Sequence, residues 1–185
     1  FRVGIIKEEE QRHILVVDMS HMIADGASIG VLIKEFTEIY RGKEPPVLRL
    51  RYKDFAYWCI GRAGSEALKK QETYWLKQFS GEVPLLNLPT DYTRPPALCY
   101  EGDHANFEIS AEETQALKRA ALEANATLYG ILSSIFAILL AKLSGQEDIV
   151  FGTPVMGRTH MSEDITRIIG MFVETLAIRC YPLKN

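Results

Sequence analysis

Of the four histidines, His21 has neighbours that suit acid–base chemistry. In Ser20-His21-Met22-Ile23-Ala24-Asp25-Gly26 the imidazole follows an apolar, strand-like run and precedes a helix-like one. Histidine titrates near neutrality and can take a proton from an attacking amine or alcohol. An aspartate four residues on could orient the imidazole or fix the loop. Gly26 would let the backbone turn or approach a ligand. The same pattern also suits a histidine that merely satisfies a loop, and residue types alone leave both readings open. His13, His104 and His160 lack carboxylates or cysteines at metal-ligand spacing, so no metal is expected. Ser133-Ser134 lies in an apolar run without Gly-x-Ser-x-Gly, and neither phosphate-binding glycine loop occurs.

Periodicity outlines the elements that must hold that loop. Val3 to Lys7 and His13 to Asp18, rich in Ile and Val and split by a polar run, predict two antiparallel strands. After Asp25-Gly26, the spacing of Ile29, Leu32, Ile33, Phe36 and Tyr40 predicts an amphipathic helix ending near Gly42. Tyr52 to Arg62 and Ser65 to Phe79 read as two helices broken at Gly64. Tyr57, Trp58, Trp75 and Phe79 are their packing residues, and Asp54 is a cap or brace. Pro84 to Pro96 holds four prolines and reads as an extended crossing segment near a lobe boundary. Asn106 to Ile109 is expected as a short strand, followed by a capping box at Ser110 to Glu113 and a helix to about Ala124. Thr127 should cap a helix over Leu128 to Leu143 that is apolar on most sides, expected to be central and buried, and closed by Gly145. Asp148 to Val155 and Met171 to Pro182 complete the pattern as strands. Interleaved helices and strands predict an α/β or α+β class, with helices layered on a mixed sheet in two lobes.

Composition narrows the function classes. The 185 residues carry 21 basic and 24 acidic side chains, a net charge of −3, and 47% hydrophobic residues, as an ordinary globular chain does. No lysine or arginine block supplies an electrostatic footprint for nucleic acid, so none is expected as a partner. The run Ile135 to Ala141, seven residues, is far below the roughly 20 needed to cross a bilayer, so no membrane partner is expected. Cys59, Cys99 and Cys180 are scattered and odd in number, which suits a reducing, cytoplasmic compartment. The chain opens on Phe1 in a strand-like run and ends just after another, so a larger protein is expected on both sides.

Ser20 to Gly26 resembles the His-His-x-x-x-Asp-Gly signature of the condensation domains of non-ribosomal peptide synthetases, a family with the chloramphenicol-acetyltransferase-like fold. Tyr52-Lys53-Asp54-Phe55-Ala56-Tyr57-Trp58 resembles the family's Tyr-x-Asp-Tyr-Ala-x-Trp block. Asp148 to Arg158 is similar to its strand and Gly-Arg turn, and Ile169 to Arg179 to a fourth block. Leu86 to Tyr92 with Arg94-Pro95 also looks like the family's linking stretch. The resemblance identifies the chain as a central piece of such a domain, incomplete at both ends. It implies that residues 1–80 are the C-terminal part of the first lobe plus connecting helices, and 81–185 the N-terminal part of the second.

The resemblance further implies an acyltransferase that forms an amide between an upstream acyl or peptidyl thioester and the amine of a downstream aminoacyl thioester. No cofactor would be bound directly, because both substrates ride on the 4'-phosphopantetheine of carrier domains. The upstream and downstream carriers and the adjacent adenylation domain are the implied partners. His21 matches the signature's functional histidine. Asp25 matches its aspartate, whose implied role is structural, paired with the arginine that Arg158 matches, and Gly26 supports the same loop. Two positions depart from the family: Ser20 replaces the first histidine, and Glu174 stands where asparagine is usual. Strand alternation predicts that Ser20 faces away from His21, and puts Glu174 in the row Phe172, Leu176, Ile178, Cys180, where it could face the substrate tunnel. The same histidine signature occurs in epimerization domains, and a non-catalytic relative that only docks carriers would also fit. The piece alone is expected to be inactive.

Overall fold

The structure, a computed structural model, describes residues 1–158 and 163–182. The chain divides into two units. One comprises Phe1–Trp75 and Thr153–Leu176, the other Leu76–Gly152 and Ala177–Asn185.

In the first unit, runs of β-branched residues pair as an antiparallel hairpin of β1 (Arg2–Lys7) and β2 (His13–Asp18). Val3 faces Val17, Ile5 faces Leu15 and Ile6 faces Ile14. Alternation therefore puts Val3, Ile5, Leu15 and Val17 on one face and Ile6, Ile14 and Val16 on the other, and all are exposed. Helix α1 (Gly26–Tyr40) starts where the Asp25 side chain accepts the Ser28 N–H, satisfying a donor that a helix start leaves free. Helix α2 (Tyr52–Gly61) is braced by Asp54, whose carboxylate accepts the Arg51 N–H at 2.8 Å. The core of this unit is Ile165, Ile168 and Phe172, packed with Leu48, Leu50, Tyr52 and Phe55. The Phe172 ring lies 4.6 Å from that of Phe55 and 5.3 Å from that of Tyr52. Helix α3 (Glu66–Gln78) carries the chain out of this unit.

The second unit is built on α4 (Ala111–Glu123) and α5 (Leu128–Ser144). Ser110 and Glu113 cap α4 reciprocally, and Thr127 accepts the Gly130 N–H at 3.0 Å to start α5. Gly145 ends α5 at φ 68, a left-handed conformation that costs glycine little. Leu140, Ala141 and Ile149 form the core with Leu86, Leu88, Phe151 and Cys180. Arg179 is bidentate on Asp148, and its outer nitrogens donate to the carbonyls of Gln78, Ser80 and Glu82. Burial pushes the Cys180 thiol up, and the Asp148 charge adds to the shift.

Strands β3 (Ile149–Met156) and β4 (Val173–Cys180) pair with each other. Three readings need correction. The strands form two two-stranded sheets among the described residues, not one mixed sheet, since each satisfies one edge and leaves the other open. Asn106 to Ile109 is irregular, because no neighbouring strand supplies a ladder, and Phe107 is exposed. Helix α5 is not buried: only Ala137, Leu140 and Ala141 are covered, while Leu132, Ile135, Phe136, Leu139 and Leu143 face outward. Periodicity reports apolar character, not what covers it. A short 3-10 helix, Glu163–Arg167, carried no sequence signal.

Candidate functional site

His21 lies in the bend between β2 and α1, and two local bonds shape that bend. The Ile23 N–H donates to the Ser20 carbonyl at 3.1 Å, and the Met22 N–H to the Ser20 hydroxyl at 3.3 Å. Ser20 is therefore a turn residue, and the strand-alternation argument for its direction does not apply, because β2 ends at Asp18. The imidazole is exposed. With Met19, Ala24, Asp25, Gly26 and Ile29 it lines a hollow of about 160 Å³.

Beneath this hollow the chain is anchored by a buried polar cluster. Ala24, Asp25 and Ser28 are buried. The Asp25 N–H donates to the Gly170 carbonyl at 3.2 Å. Both oxygens of its carboxylate accept hydrogen bonds. Oδ1 accepts from the Ser28 amide at 2.8 Å and from Arg158 Nη2 at 2.9 Å, and Oδ2 accepts from the Phe172 amide at 3.1 Å. These bonds tie Asp25, and the loop it belongs to, to Gly170, Phe172 and Arg158. Burial alone would raise its pKa, but the Ser28, Phe172 and Arg158 donors outweigh that and hold it at about 2.

Arg158, itself buried, reaches Asp25 from 133 residues away. Its Nη1 donates to the carbonyls of Ile165 at 3.0 Å and Ile168 at 2.6 Å, and its guanidinium carbon lies 4.1 Å from the Phe172 ring centroid. The structure thus brings Asp25 and Arg158 together, with Gly26 as the first residue of α1 beside them. Gly26 has no positive φ, so its place does not depend on glycine's conformational freedom. Its open side borders the His21 hollow. Glu174 is exposed on β4, two residues beyond Phe172, while Leu176, Ile178 and Cys180 of the same row are half-buried.

Three residues of this cluster were missed in the sequence. Ser28 is fully buried, and its only local signal is the Asp-x-x-Ser spacing of a reciprocal helix cap. Gly170 packs its Cα against the Tyr52 ring so closely that a Cβ would collide with it. The Tyr52 hydroxyl donates to the Met171 carbonyl at 2.8 Å, holding that ring in place. Neither of these long-range partners leaves a periodic trace. Among the described residues no group of histidines, cysteines and carboxylates could hold a metal, and His160 lies outside them. No single helix there is long and apolar enough to cross a membrane, though α4 and α5 together, bent by 102°, pass by length and composition.

Comparison with known proteins matches the Condensation domain family over residues 1–185. The chain is 48% identical to Surfactin synthase subunit 1 of Bacillus subtilis (strain 168) over 98% of its own length and 5% of that protein's. Among solved structures, it resembles the X-domain in the complex of the X-domain and OxyB from teicoplanin biosynthesis. The TM-score is 0.84 and the identity 24%, covering 96% of this chain and 41% of that one. Holo-AB3403, a four-domain nonribosomal peptide synthetase bound to AMP and glycine, is similar at a TM-score of 0.81 and 23% identity, over 97% of this chain and 14% of that one.

Proposed function

The chain belongs to the condensation-domain family, and from that premise we propose that the longer protein it represents joins two carrier-bound thioesters through an amide, with His21 at the reacting centre. Its α/β, chloramphenicol-acetyltransferase-like fold is that of its structural neighbours. We assign residues 1–80 to the first lobe and its connecting helices, and 81–185 to the second.

In the proposed reaction the α-amine of the downstream aminoacyl thioester attacks the upstream thioester carbon. A C–N bond forms, the C–S bond breaks, and the upstream phosphopantetheine thiol leaves. An α-amine has a pKa of about 7.7 to 8.0, so much of it must shed a proton before or during attack. His21 takes that proton as general base, or holds the amine and the charge that develops on the tetrahedral carbon. The observation that carries this reading is an exposed imidazole lining a hollow together with Asp25, whose buried carboxylate is held by Arg158. Asp25, Gly26 and Arg158 support the site. Glu174, an exposed carboxylate two residues beyond the Asp25 contact at Phe172, is proposed to face the tunnel and tune acceptor choice.

No directly bound cofactor is required in this reading, since phosphopantetheine arms deliver both substrates. The partners are the flanking carrier domains and the module's adenylation domain, in the cytoplasm. The chain spans a small part of its synthetase relative and about two fifths of the X-domain chain, and alone it is proposed to be inactive.

The test is intact-mass detection of dipeptidyl thioester between two loaded carriers. The full parent should form it, His21→Ala should slow it roughly 100-fold or more, and the 185-residue chain should form none. An unchanged single-turnover rate in His21→Ala removes His21 from the mechanism. Epimerized substrate without amide would select the epimerization alternative. A second reading, a docking relative without turnover, is favoured by the likeness to an X-domain solved in a complex with OxyB and by serine at position 20. Carrier binding with no amide from any cognate pair would support it.

A further inference from the structure

We propose that Ser28 is a positioning residue for His21, setting its loop through Gly170; this rests on the reading of His21 given above. The Ser28 hydroxyl is fully buried at the third position of α1, and the groups around it come from three anchors of the loop, Asp25, Arg158 and Gly170. The Gly170 N–H donates to it at 3.0 Å and Arg158 Nη2 at 2.9 Å. It lies 2.8 Å from Asp25 Oδ1 and 2.9 Å from the Gly170 carbonyl, and its single proton serves one of these at a time. The hydroxyl is thus the one side chain that ties both polar groups of the Gly170 peptide position to the helix start.

The consequence reaches His21 through the backbone. Downstream of the bend, the loop is fixed where the Asp25 N–H meets the Gly170 carbonyl. Upstream, it is fixed at Asp18, which ends β2 opposite Arg2. Gly170 therefore decides where the lower end of the His21 loop sits, and Ser28 decides where Gly170 sits relative to α1. Without the hydroxyl, Arg158 still pairs with Asp25, so the charged clamp survives. The buried Gly170 N–H then has no side-chain acceptor and must shift to find one. A small displacement of a reacting group is costly, on the order of 100-fold for about 1 Å.

Two readouts test this. In the 185-residue chain, diluted below the concentration at which it self-associates, the Cε1–H resonance of His21, identified by its loss in His21→Gln, should be sharp and single. Ser28→Ala should move or broaden it, and Ser28→Thr, which keeps the hydroxyl, should restore it. In the parent synthetase, Ser28→Ala should lower the single-turnover amide rate about 10- to 100-fold with unchanged half-saturation by loaded carrier. Ser28→Cys, close in size but a weak hydrogen-bonding partner, replaces the alanine variant if that one does not fold. A lowered melting temperature with an unchanged His21 signal and an unchanged rate would overturn the proposal, as would failure of both variants to fold. If the parent makes no amide, the resonance still decides the positioning role, so the two readings fail separately.

Discussion

The carboxylate of Asp25 ties chemistry to stability at a single residue. Its pKa of about 2 lies below the ordinary 3.8, so the folded chain holds the ionised form more tightly than the unfolded chain does. The resulting stabilisation is complete above about pH 5 and disappears as pH falls through about 2, and its size is about 2 kcal/mol. Unfolding free energies from urea titrations should therefore fall by this amount between pH 5 and pH 2, and Asp25→Asn should remove most of that dependence. A variant with the same acid sensitivity as the parent would show that Asp25 does not carry it. Arg158 makes the complementary case. Arg158→Met leaves Asp25 buried without its cation and should cost about 3 to 5 kcal/mol at pH 7. The double variant should cost less than the sum of the two single changes, since each partner's worth depends on the other. Strict additivity would mean that the 2.9 Å pair contributes no coupling.

Among elements, the strand–bend–helix frame around His21 was legible because each part has a local cause. Runs rich in Ile and Val made β1 and β2, and Asp25 capped α1 where the apolar 3.6-residue spacing began. The floor of the site was not legible. Gly170 and Ser28 are 142 residues apart, and a sequence pattern carries no record of a contact that only folding creates. The Asp25–Arg158 pair was read ahead of the structure only through the family resemblance, not from spacing. The misread burial of α5 has the same root, since a helix pattern is silent on its neighbours. The segment Gly170 to Phe172 is where these long-range contacts converge, and it gives a sharp test. Gly170→Ala would push a methyl into the Tyr52 ring, which cannot retreat without losing its bond to the Met171 carbonyl. The expected cost is about 1 to 3 kcal/mol in urea unfolding. Shrinking the ring by Tyr52→Leu should recover part of it in the double variant. If Gly170→Ala costs the same with or without Tyr52, crowding is not the cause.

At the scale of the whole molecule, large apolar side chains stand open to solvent on several elements. Both faces of the β1–β2 hairpin are open, and so is the stripe Leu132, Ile135, Phe136, Leu139 and Leu143 on α5, whose i, i+3, i+4, i+7 spacing makes one continuous band. Contiguous apolar surface of this kind, beside unpaired strand edges, drives association in water. The 185-residue chain should therefore show a sedimentation-equilibrium mass above 20.9 kDa that rises with concentration. Placing charges in the α5 band, Ile135→Lys with Leu139→Glu, should return the mass toward the monomer while leaving the chain's urea midpoint nearly unchanged, because neither residue belongs to its core. Where the longer protein covers this band, the same pair should instead lower stability, since removing two charges from water costs more than their mutual attraction returns. A monodisperse monomer at every concentration would show that these faces are not adhesive and that their apolar character has another cause.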